Sequence, residues 1–341
     1  MTAHPLIQPN GEPLFGIFDY PISEINVGDF QLLTPFGKPS NRWQQWFGFN
    51  QFQYFGVISQ ELILGCAIAD TKLVGAAFCY LYQPNTGKML SYSLKSPFAH
   101  ACQFAASPDA GTTTFTQGKR RIEMVNKTCP QSRSLQIALP KQGLAIDCSF
   151  IECDSFNPMR ICTKTGVNGW VYAQKAAGIP VEGTIDCPWG TFDLAAIGAC
   201  AHHDFSSGYM RRETFWNWGC LSGNTADGQA VGLNVSCGVN ETGFTENCFW
   251  LNGQLHKVDT VAFHYQKQDL FKPWHIQSYD GKVDLQFTPL GKHAECLDLW
   301  LMATNFHQLF GHFNGYLQTA EEEKIAINNM LGFVEDHYAK W

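Results

Sequence analysis

Glycine preceded by asparagine or aspartate recurs at short intervals along this chain, and this feature constrains its fold more than any other. Such dipeptides favour the type I′ turn, in which both central residues take positive φ and the twist suits two antiparallel strands. Because they lie between apolar runs, they predict a succession of β-hairpins. From residue 168 onward the dipeptides are Asn168-Gly169, Asp227-Gly228, Asn252-Gly253, Asp280-Gly281 and Asn314-Gly315.

Two hairpins are clearest in the second half of the chain. Asn247–Leu251 turns into Gln254–Val258, and Ile276–Tyr279 turns into Lys282–Phe287. Apolar and polar residues alternate through the last of these segments, which is the pattern of a strand buried on one face. Charged residues make up only 16% of the sequence and aromatic residues 14%, with 31 glycines. This composition favours an all-β fold over a helical bundle.

The length of 341 residues is enough for about two domains of roughly 150 residues each. A faint internal repeat supports two similar units, because Trp43 and Trp46 precede an apolar strand segment much as Trp216 and Trp218 do. Asn329–Trp341 has modest helical character and predicts a short C-terminal helix. The predicted domains are residues 1–165 and residues 166–341, the second carrying the candidate site.

Charge and local motifs exclude several functional classes. The net charge is −7 and the longest basic run is Lys119–Arg121, so we expect no nucleic-acid partner. The first ten residues lack the charged and apolar regions of an export signal, and the apolar stretches are far shorter than the ~18–20 residues of a membrane span. Thirteen cysteines without a Cys-x-x-Cys pair indicate reduced thiols and a cytoplasmic location. Nucleotide-binding and metal-ligand spacings are absent, so we expect neither cofactor nor metal.

The segment 202–218 carries the densest chemistry in the sequence. His203 and Asp204 form a pair able to exchange a proton near neutral pH, because imidazole titrates at about 6.5 and a carboxylate fixes its tautomer. If the segment is extended, however, His202 and Asp204 face one side and His203 faces the other. Satisfying backbone groups at a strand end is the alternative role for this pair.

Further polar and aromatic residues are candidates for the same site. Two tryptophans two positions apart form an aromatic wall on one face of a strand, either as a core platform or against a ligand. Glu246 lies in apolar surroundings that would favour its neutral form and suit a general acid, although hairpin turns alone could explain the amides near it. We therefore predict Glu246 as catalytic beside His203 and Asp204. The predicted ligand-binding residues are Arg212, Trp216, Trp218, Asn234, Asn240 and Trp250.

An ordered series of short motifs runs from the middle of the chain to its end. They are His203–Gly208, Arg212, Thr214, Trp216–Trp218, Gly232–Asn234, Gly238–Asn240, Thr245–Asn247, Pro273-Trp274, Phe310-Gly311 and Gly332–His337. With this series, the chain resembles the bacterial domain of unknown function family 2804 over nearly its whole length. It is more distantly similar to the carotenoid hydratase and tocopherol cyclase group. That likeness implies two lipocalin-like antiparallel β-barrel or sandwich units in tandem.

The predicted function follows from this resemblance and from the candidate residues. We expect a cofactor-independent hydratase, cyclase or isomerase acting on a lipid or isoprenoid-like molecule, with Asp204 or Glu246 as proton donor, His203 as relay and Trp216 and Trp218 shielding positive charge. A non-catalytic lipid carrier and a carbohydrate-processing enzyme with paired carboxylates remain alternatives. A closed apolar cavity would favour a lipid, and an open aromatic groove would favour a sugar.

Overall fold

The computed structural model describes residues 4–128, 130–153, 155–239, 243–299 and 302–340. These residues form antiparallel strands almost throughout, gathered into a first sheet of 14 strands and a second of nine. The first sheet contains β1 (Gly16–Phe18), β2 (Asn50–Ile58), β3 (Ile63–Asp70), β4 (Val74–Gln83), β5 (Lys88–Pro97), β6 (Cys102–Gln103), β7 (Gly111–Gln117), β8 (Arg120–Thr128), β9 (Gln131–Leu139), β10 (Leu144–Phe150), β11 (Met159–Thr165), β12 (Gly169–Cys187), β13 (Gly190–Asp193) and β14 (Cys200–Gly208). The second contains β15 (Glu213–Asn224), β16 (Ala230–Cys237), β17 (Cys248–Leu251), β18 (Gln254–Lys257), β19 (Val261–His264), β20 (Trp274–Ser278), β21 (Val283–Leu299), β22 (Met302–Gln318) and β23 (Lys324–Lys340).

Most strands pair with their neighbours in sequence. The main path of the first sheet is β5-β4-β3-β2-β14-β12-β10-β9-β8-β7-β6, and that of the second is β18-β17-β16-β15-β23-β22-β21-β20-β19. Both sheets curl, because β3 contacts β6 and β7 across the first and β16 contacts β19 across the second. The predicted all-β fold of two antiparallel units is confirmed.

Four of the five named dipeptides lie at hairpin turns, but the turn predicted at Asn314-Gly315 is wrong, because these residues lie inside β22, where the register to β23 shifts. β17 turns into β18 through Asn252 (φ 50°) and Gly253 (φ 82°), the pair of positive φ angles that a type I′ turn requires. The second predicted hairpin is also present, as β20 and β21. The sequence therefore predicts these hairpins correctly because their geometry is set by adjacent residues.

The predicted short C-terminal helix is wrong. Lys324–Lys340 is strand β23, and Trp341 lies outside the described residues. This strand has hydrogen-bonded partners on both edges, β15 and β22. Two ladders and a buried position in the sheet outweigh a modest local preference for helix.

One α-helix is found in the described residues, at the start of the chain rather than at its end. α1 (Arg42–Gly48) begins with a capping box, in which the Asn41 side chain accepts from the Gln44 N–H and the Gln44 side chain accepts from the Asn41 N–H. Trp43 and Trp46 therefore lie on a helix, whereas Trp216 and Trp218 lie within β15. The tryptophan correspondence in the predicted repeat is wrong for this reason. Two short 3-10 helices cover Val27–Asp29 and Pro140–Gln142.

The division of the chain into residues 1–165 and 166–341 stays a prediction. β11 and β12, on either side of that boundary, pair with each other within the first sheet. The first sheet ends with β14 at Gly208, and the second begins with β15 at Glu213. A division by sheets would therefore fall at residues 209–212.

The two sheets meet where β12 packs against β15 and β16. β12 has a bulge between Ala176 and Ile179, where Gly178 has a φ of 74°. An added Cβ on Gly178 would lie 2.6 Å from the backbone nitrogen of Gly232 on β16, so the backbones touch there without side chains between them. We call this contact region the seam. Aromatic residues pack across it, including Tyr54 against Phe333 at a ring-centroid distance of 6.5 Å.

Candidate functional site

One buried lysine holds two carboxylates at the seam. Lys175 Nζ lies 2.6 Å from Asp204 Oδ2 and 3.3 Å from Glu246 Oε1. Lys175 and Asp204 are direct cross-strand partners in β12 and β14, which places both side chains on the face toward the second sheet. None of the three residues is more than 7% exposed. The first sheet thus supplies the lysine and one carboxylate, and the segment before β17 supplies the other.

An aromatic ring and two hydrogen-bonding side chains fix this arrangement. The Lys175 ammonium lies 5.1 Å from the centroid of the Trp218 ring, within range of a cation–π interaction. Trp218 Nε1 donates to Asn234 Oδ1 at 2.8 Å, and Asn234 Nδ2 donates to the Glu246 carbonyl at 3.0 Å. The Ser236 hydroxyl donates to Glu246 Oε1 at 3.0 Å. Asn234 therefore positions both Trp218 and Glu246.

Burial and charge act on the ionisable groups in opposite directions. Burial by itself lowers the pKa of Lys175, but the charges of Asp204 and Glu246 outweigh it and raise that pKa above its ordinary value. Burial raises the pKa of Asp204, Glu246 raises it further, and Lys175 partly offsets both. The lysine therefore stays charged, and Asp204 is a stronger base than an exposed aspartate.

Glu335 is a third carboxyl facing the seam, and it is the most strongly perturbed. It lies on β23 directly opposite Trp218 on β15. Burial raises the pKa of Glu335 to about 8, against the opposing effects of hydrogen bonds and of Lys175. Trp216 Nε1 donates to its Oε2 at 3.2 Å, and Gln308 Nε2 donates to its Oε1 at 2.8 Å. At neutral pH Glu335 holds a proton that it can donate. We call Lys175, Asp204, Trp218, Glu246 and Glu335 the seam cluster.

The two adjacent histidines lie on opposite faces of β14. His202 shares the face of Asp204, and its Nε2 lies 3.4 Å from the Tyr54 hydroxyl. His203 points into the curl of the first sheet, where its ring is 5.9 Å from that of Phe55. Burial lowers the pKa of His202 to about 3 and that of His203 well below its usual value. The structure does not bring His203 to Asp204, so the relay role of His203 stays a prediction without a contact to support it.

The remaining predicted ligand residues occupy three kinds of position. Trp216 is half-buried and bonded to Glu335, within the site. Trp250 is fully buried, donates from Nε1 to the Asn157 carbonyl at 2.9 Å and belongs to the hydrophobic core. Arg212 is exposed in the turn before β15, and Asn240 lies outside the described residues. Of the predicted ligand set, Trp216, Trp218 and Asn234 thus come together with Asp204 and Glu246.

A second buried polar group includes Gln174, the neighbour of Lys175 on the other face of β12. Arg160 binds Asp109 at 2.7 Å, and Arg133 is paired with Glu152. Gln174 joins the two pairs, because its Oε1 accepts from Arg133 at 3.0 Å and its Nε2 donates to Asp109 at 2.9 Å. We call these five residues the lumen network, since they lie inside the curl of the first sheet. Each carboxylate there has its own guanidinium.

Two members of the seam cluster escaped prediction, although each left a trace in the sequence. Lys175 is the one charged residue in the apolar stretch 170–180, which marks it as a buried ion in need of a partner. Glu335 lies in the motif Gly332–His337, which contributed to the family resemblance without being given a chemical role. Their partners are far away in sequence, so only the pairing of the sheets shows the site.

A surface cleft of about 570 Å³ lies beside the segment that leads into Glu246. Its lining includes Gly243, Phe244 and Thr245 from that segment and Ile17 from β1. Within the described ranges, no group of three or more His, Cys, Asp or Glu side chains is arranged to hold a metal ion. No helix in the described part of the chain has the length and hydropathy to cross a bilayer.

The family and fold comparisons agree with the geometry. The model of DUF2804, a domain of unknown function, matches residues 1–341. No individually curated protein matches the chain.

Solved structures share the fold at low identity. CghA with Sch210972 matches with a TM-score of 0.55 and 10% identity, over 86% of this chain and 88% of CghA. A putative AttH from Nitrosomonas europaea matches with a TM-score of 0.52 and 12% identity, over 86% and 92%. Kievitone hydratase from Nectria haematococca matches with a TM-score of 0.51 and 9% identity, over 85% and 88%. At such identities these matches establish the fold alone.

Proposed function

This chain belongs to the DUF2804 family, and we propose that it is a cofactor-independent hydratase, cyclase or isomerase acting on a lipid or isoprenoid-like molecule. The observation that carries the proposal is Glu335, a buried carboxyl whose pKa is raised to about 8 beside two tryptophans. A carboxyl that keeps its proton at neutral pH can act as a general acid.

The first proposed step is protonation of a carbon–carbon double bond. Glu335 gives its proton to one carbon, the π electrons form the new C–H bond, and the neighbouring carbon becomes cationic. The faces of Trp216 and Trp218 stabilise that positive charge, as aromatic rings stabilise cations generally. Burial of the cluster strengthens this attraction because little water screens it.

The second proposed step discharges the cation. In a hydration, water attacks the cationic carbon and Asp204 takes the released proton; in a cyclisation or isomerisation, Asp204 takes a proton from carbon instead. Lys175 keeps Asp204 available in its ionised form through the 2.6 Å contact. Proton exchange with solvent then restores protonated Glu335 and ionised Asp204, so no net charge is consumed. In this scheme Glu246 holds Lys175 in place at 3.3 Å.

The comparisons and the burial of the site support this class of reaction. One of the structures with the same fold is named a hydratase, and another was determined with a small molecule, Sch210972. The seam cluster is buried among aromatic side chains, which favours an apolar ligand over a sugar in an open groove. A non-catalytic carrier would use the same residues to orient a head group, and measured turnover separates it from an enzyme.

The test combines ligand identification with isotope incorporation. Native mass spectrometry and lipid extraction of the purified protein should show a bound apolar molecule. That extract, with squalene, lycopene and geranylgeraniol, is then incubated with the protein in D₂O, and we expect deuterium on a product carbon. Glu335→Gln should lower incorporation by about two to four orders of magnitude.

The matched control is Asp336→Asn. Asp336 neighbours Glu335 but lies on the other face of β23, where its Oδ1 accepts from the Tyr265 hydroxyl at 3.0 Å. Equal losses in the two variants would remove Glu335 from the proposed chemistry. A bound apolar molecule without deuterium incorporation would point to a carrier and defeat the enzyme.

A further inference from the structure

Large apolar side chains are exposed together at one end of the first sheet. Phe36 is 90% exposed, Trp43 65% and Trp46 59%. Such exposure is costly for large aromatic residues unless something covers them, and a contiguous patch indicates an interaction surface. The residues of this patch, which we call the aromatic rim, are Leu33, Phe36, Trp43, Trp46, Phe47, Leu73, Phe98 and Val167.

Strand pairing and local contacts place these residues at the same end of the first sheet, beside the ends of its strands. α1 leads into β2, and Leu73 and Phe98 flank the paired ends of β4 and β5. The Phe98 N–H donates to the Leu73 carbonyl at 2.9 Å. Asn168 Nδ2 donates to the Leu33 carbonyl at 3.2 Å, which brings Val167 beside it. The rim therefore runs along the ends of these strands, at one end of the first sheet.

The segment that carries most of the rim, residues 30–60, is opposite in charge to the whole protein. Residues 30–60 contain Lys38 and Arg42 but no aspartate or glutamate, whereas the protein carries a net charge of −7. Arg42 lies 6.0 Å from the ring of Trp43. Lys72 Nζ lies 5.1 Å from the ring of Trp46, but it is buried and paired with Asp70 at 2.6 Å, so the positive charge of the rim comes from Lys38 and Arg42. The rim thus combines exposed aromatic rings with nearby cations.

We propose that the aromatic rim docks this protein on the surface of a bilayer containing anionic phospholipids. Tryptophan is enriched at the membrane–water interface, because its large ring is apolar and its N–H can stay hydrated. Trp43 and Phe47, one helical turn apart on α1, have ring centroids 6.1 Å apart and form one apolar face. Lys38 and Arg42 beside them match phosphate and carboxylate head groups.

The strands connect the rim to the seam cluster. β14 runs four residues from Gly208 at the rim to Asp204, about 13 Å at roughly 3.3 Å per residue. An apolar molecule dissolved in the bilayer would therefore be held within a short distance of the cluster. The docking proposal does not depend on the chemistry assigned to Glu335, because it rests on a separate surface.

Vesicle binding tests the proposal directly. The full-length protein is sedimented with two kinds of phosphatidylcholine vesicle. One contains no phosphatidylserine, and in the other phosphatidylserine makes up about 30% of the lipid. We expect binding to the anionic vesicles, weakened by added salt because the head-group attraction is screened. The triple variant Phe36→Ser, Trp43→Ser, Trp46→Ser should have a vesicle-binding constant at least about tenfold lower than that of the wild type, since it loses the inserted apolar area.

Controls separate the rim from general surface apolarity and from misfolding. The matched variant Tyr279→Ser, Phe271→Ser removes two rings that are 88% and 49% exposed on the second unit, and it should bind as the wild type does. The single variant Phe36→Asp changes a side chain that is 90% exposed, so it should keep the wild-type melting temperature while binding more weakly.

Three results would overturn the proposal. They are no sedimentation with either vesicle, equal weakening by the rim and control variants, and concentration-dependent self-association that the rim variants abolish without any vesicle binding. The last would make the rim an interface between copies of the chain. None of these results bears on deuterium incorporation by Glu335, so the two proposals fail separately.

Discussion

The seam cluster and the lumen network bury charge on opposite faces of β12, and they do so differently. Lys175 and Gln174 are adjacent on β12, yet one joins the cluster and the other joins the network. In the network, two arginines face two carboxylates, one to one. In the cluster, one lysine faces Asp204 and Glu246, and a third carboxyl nearby stays protonated.

This difference in balance separates a structural role from a chemical one. Paired guanidinium and carboxylate groups satisfy each other and leave no proton free to move near neutral pH. In the cluster, burial raises the pKa of Glu335 to about 8, whereas Lys175 partly offsets the effect of burial on the pKa of Asp204, which leaves an acid and a base in one site. We therefore expect changes in the cluster to act mainly on turnover and changes in the network to act mainly on stability.

The largest expected effect is on turnover, from Asp204→Asn. Asparagine keeps the shape and leaves Lys175 paired with Glu246, but it cannot accept a proton. Turnover should fall by about two to four orders of magnitude, the usual contribution of a positioned acid or base. Steady-state kinetics on the substrate found by extraction measures it. Thermal unfolding is the control, since a loss of about 1–3 kcal/mol without any change in turnover would make Asp204 structural.

The next largest effect is on stability, from Arg160→Met in the lumen network. The change leaves the Asp109 carboxylate buried without its guanidinium, and breaking a buried pair in this way costs about 3–5 kcal/mol. Urea unfolding measures the loss. Lys119→Met, in an exposed turn, should change the unfolding free energy by less than about 0.5 kcal/mol. An undisturbed Arg160→Met protein would contradict the structural role of the network.

The pH dependence of Glu335 sharpens the comparison with a smaller effect. Its folded pKa of about 8 lies above its ordinary value, so its contribution to stability is full below pH ~4.5 and is lost as pH rises through about 8. Glu335→Gln removes this dependence and should gain stability relative to wild type with rising pH, by at most about 1.4 kcal/mol per pH unit. Unfolding curves from pH 5 to pH 9 measure it. Parallel curves for the two proteins would show that Glu335 titrates normally.

The smallest effect is expected from His203→Gln. His203 is buried inside the curl of the first sheet, on the opposite face of β14 from Asp204. Glutamine should change the unfolding free energy by less than about 1 kcal/mol and leave turnover nearly unchanged. A fall in turnover of about a hundredfold or more, as for a proton relay, would restore His203 to the site and blur the distinction between the two faces.

The sequence predicts this molecule well where neighbours in the chain determine geometry. Four of the five turn dipeptides locate hairpins, and the motif around Asp204 and Trp218 locates part of the cluster; Asn314-Gly315 instead lies inside β22. The C-terminal helix was wrong because partners on both edges decide the structure of β23. Lys175 and Glu335 were missed for a related reason, since their partners are brought close only by the meeting of two sheets.

The origin of the seam-cluster residues in two parts of the chain constrains how the protein could have evolved. Lys175 and Asp204 come from the first sheet, whereas Trp218, Glu246 and Glu335 come from chain that follows it. The first sheet alone would contain a lysine with one carboxylate, and the chain that follows it would contain two carboxyl groups without the lysine. If the units were once separate chains, the whole constellation arose only after they were joined, and gene fission would erase it in one event.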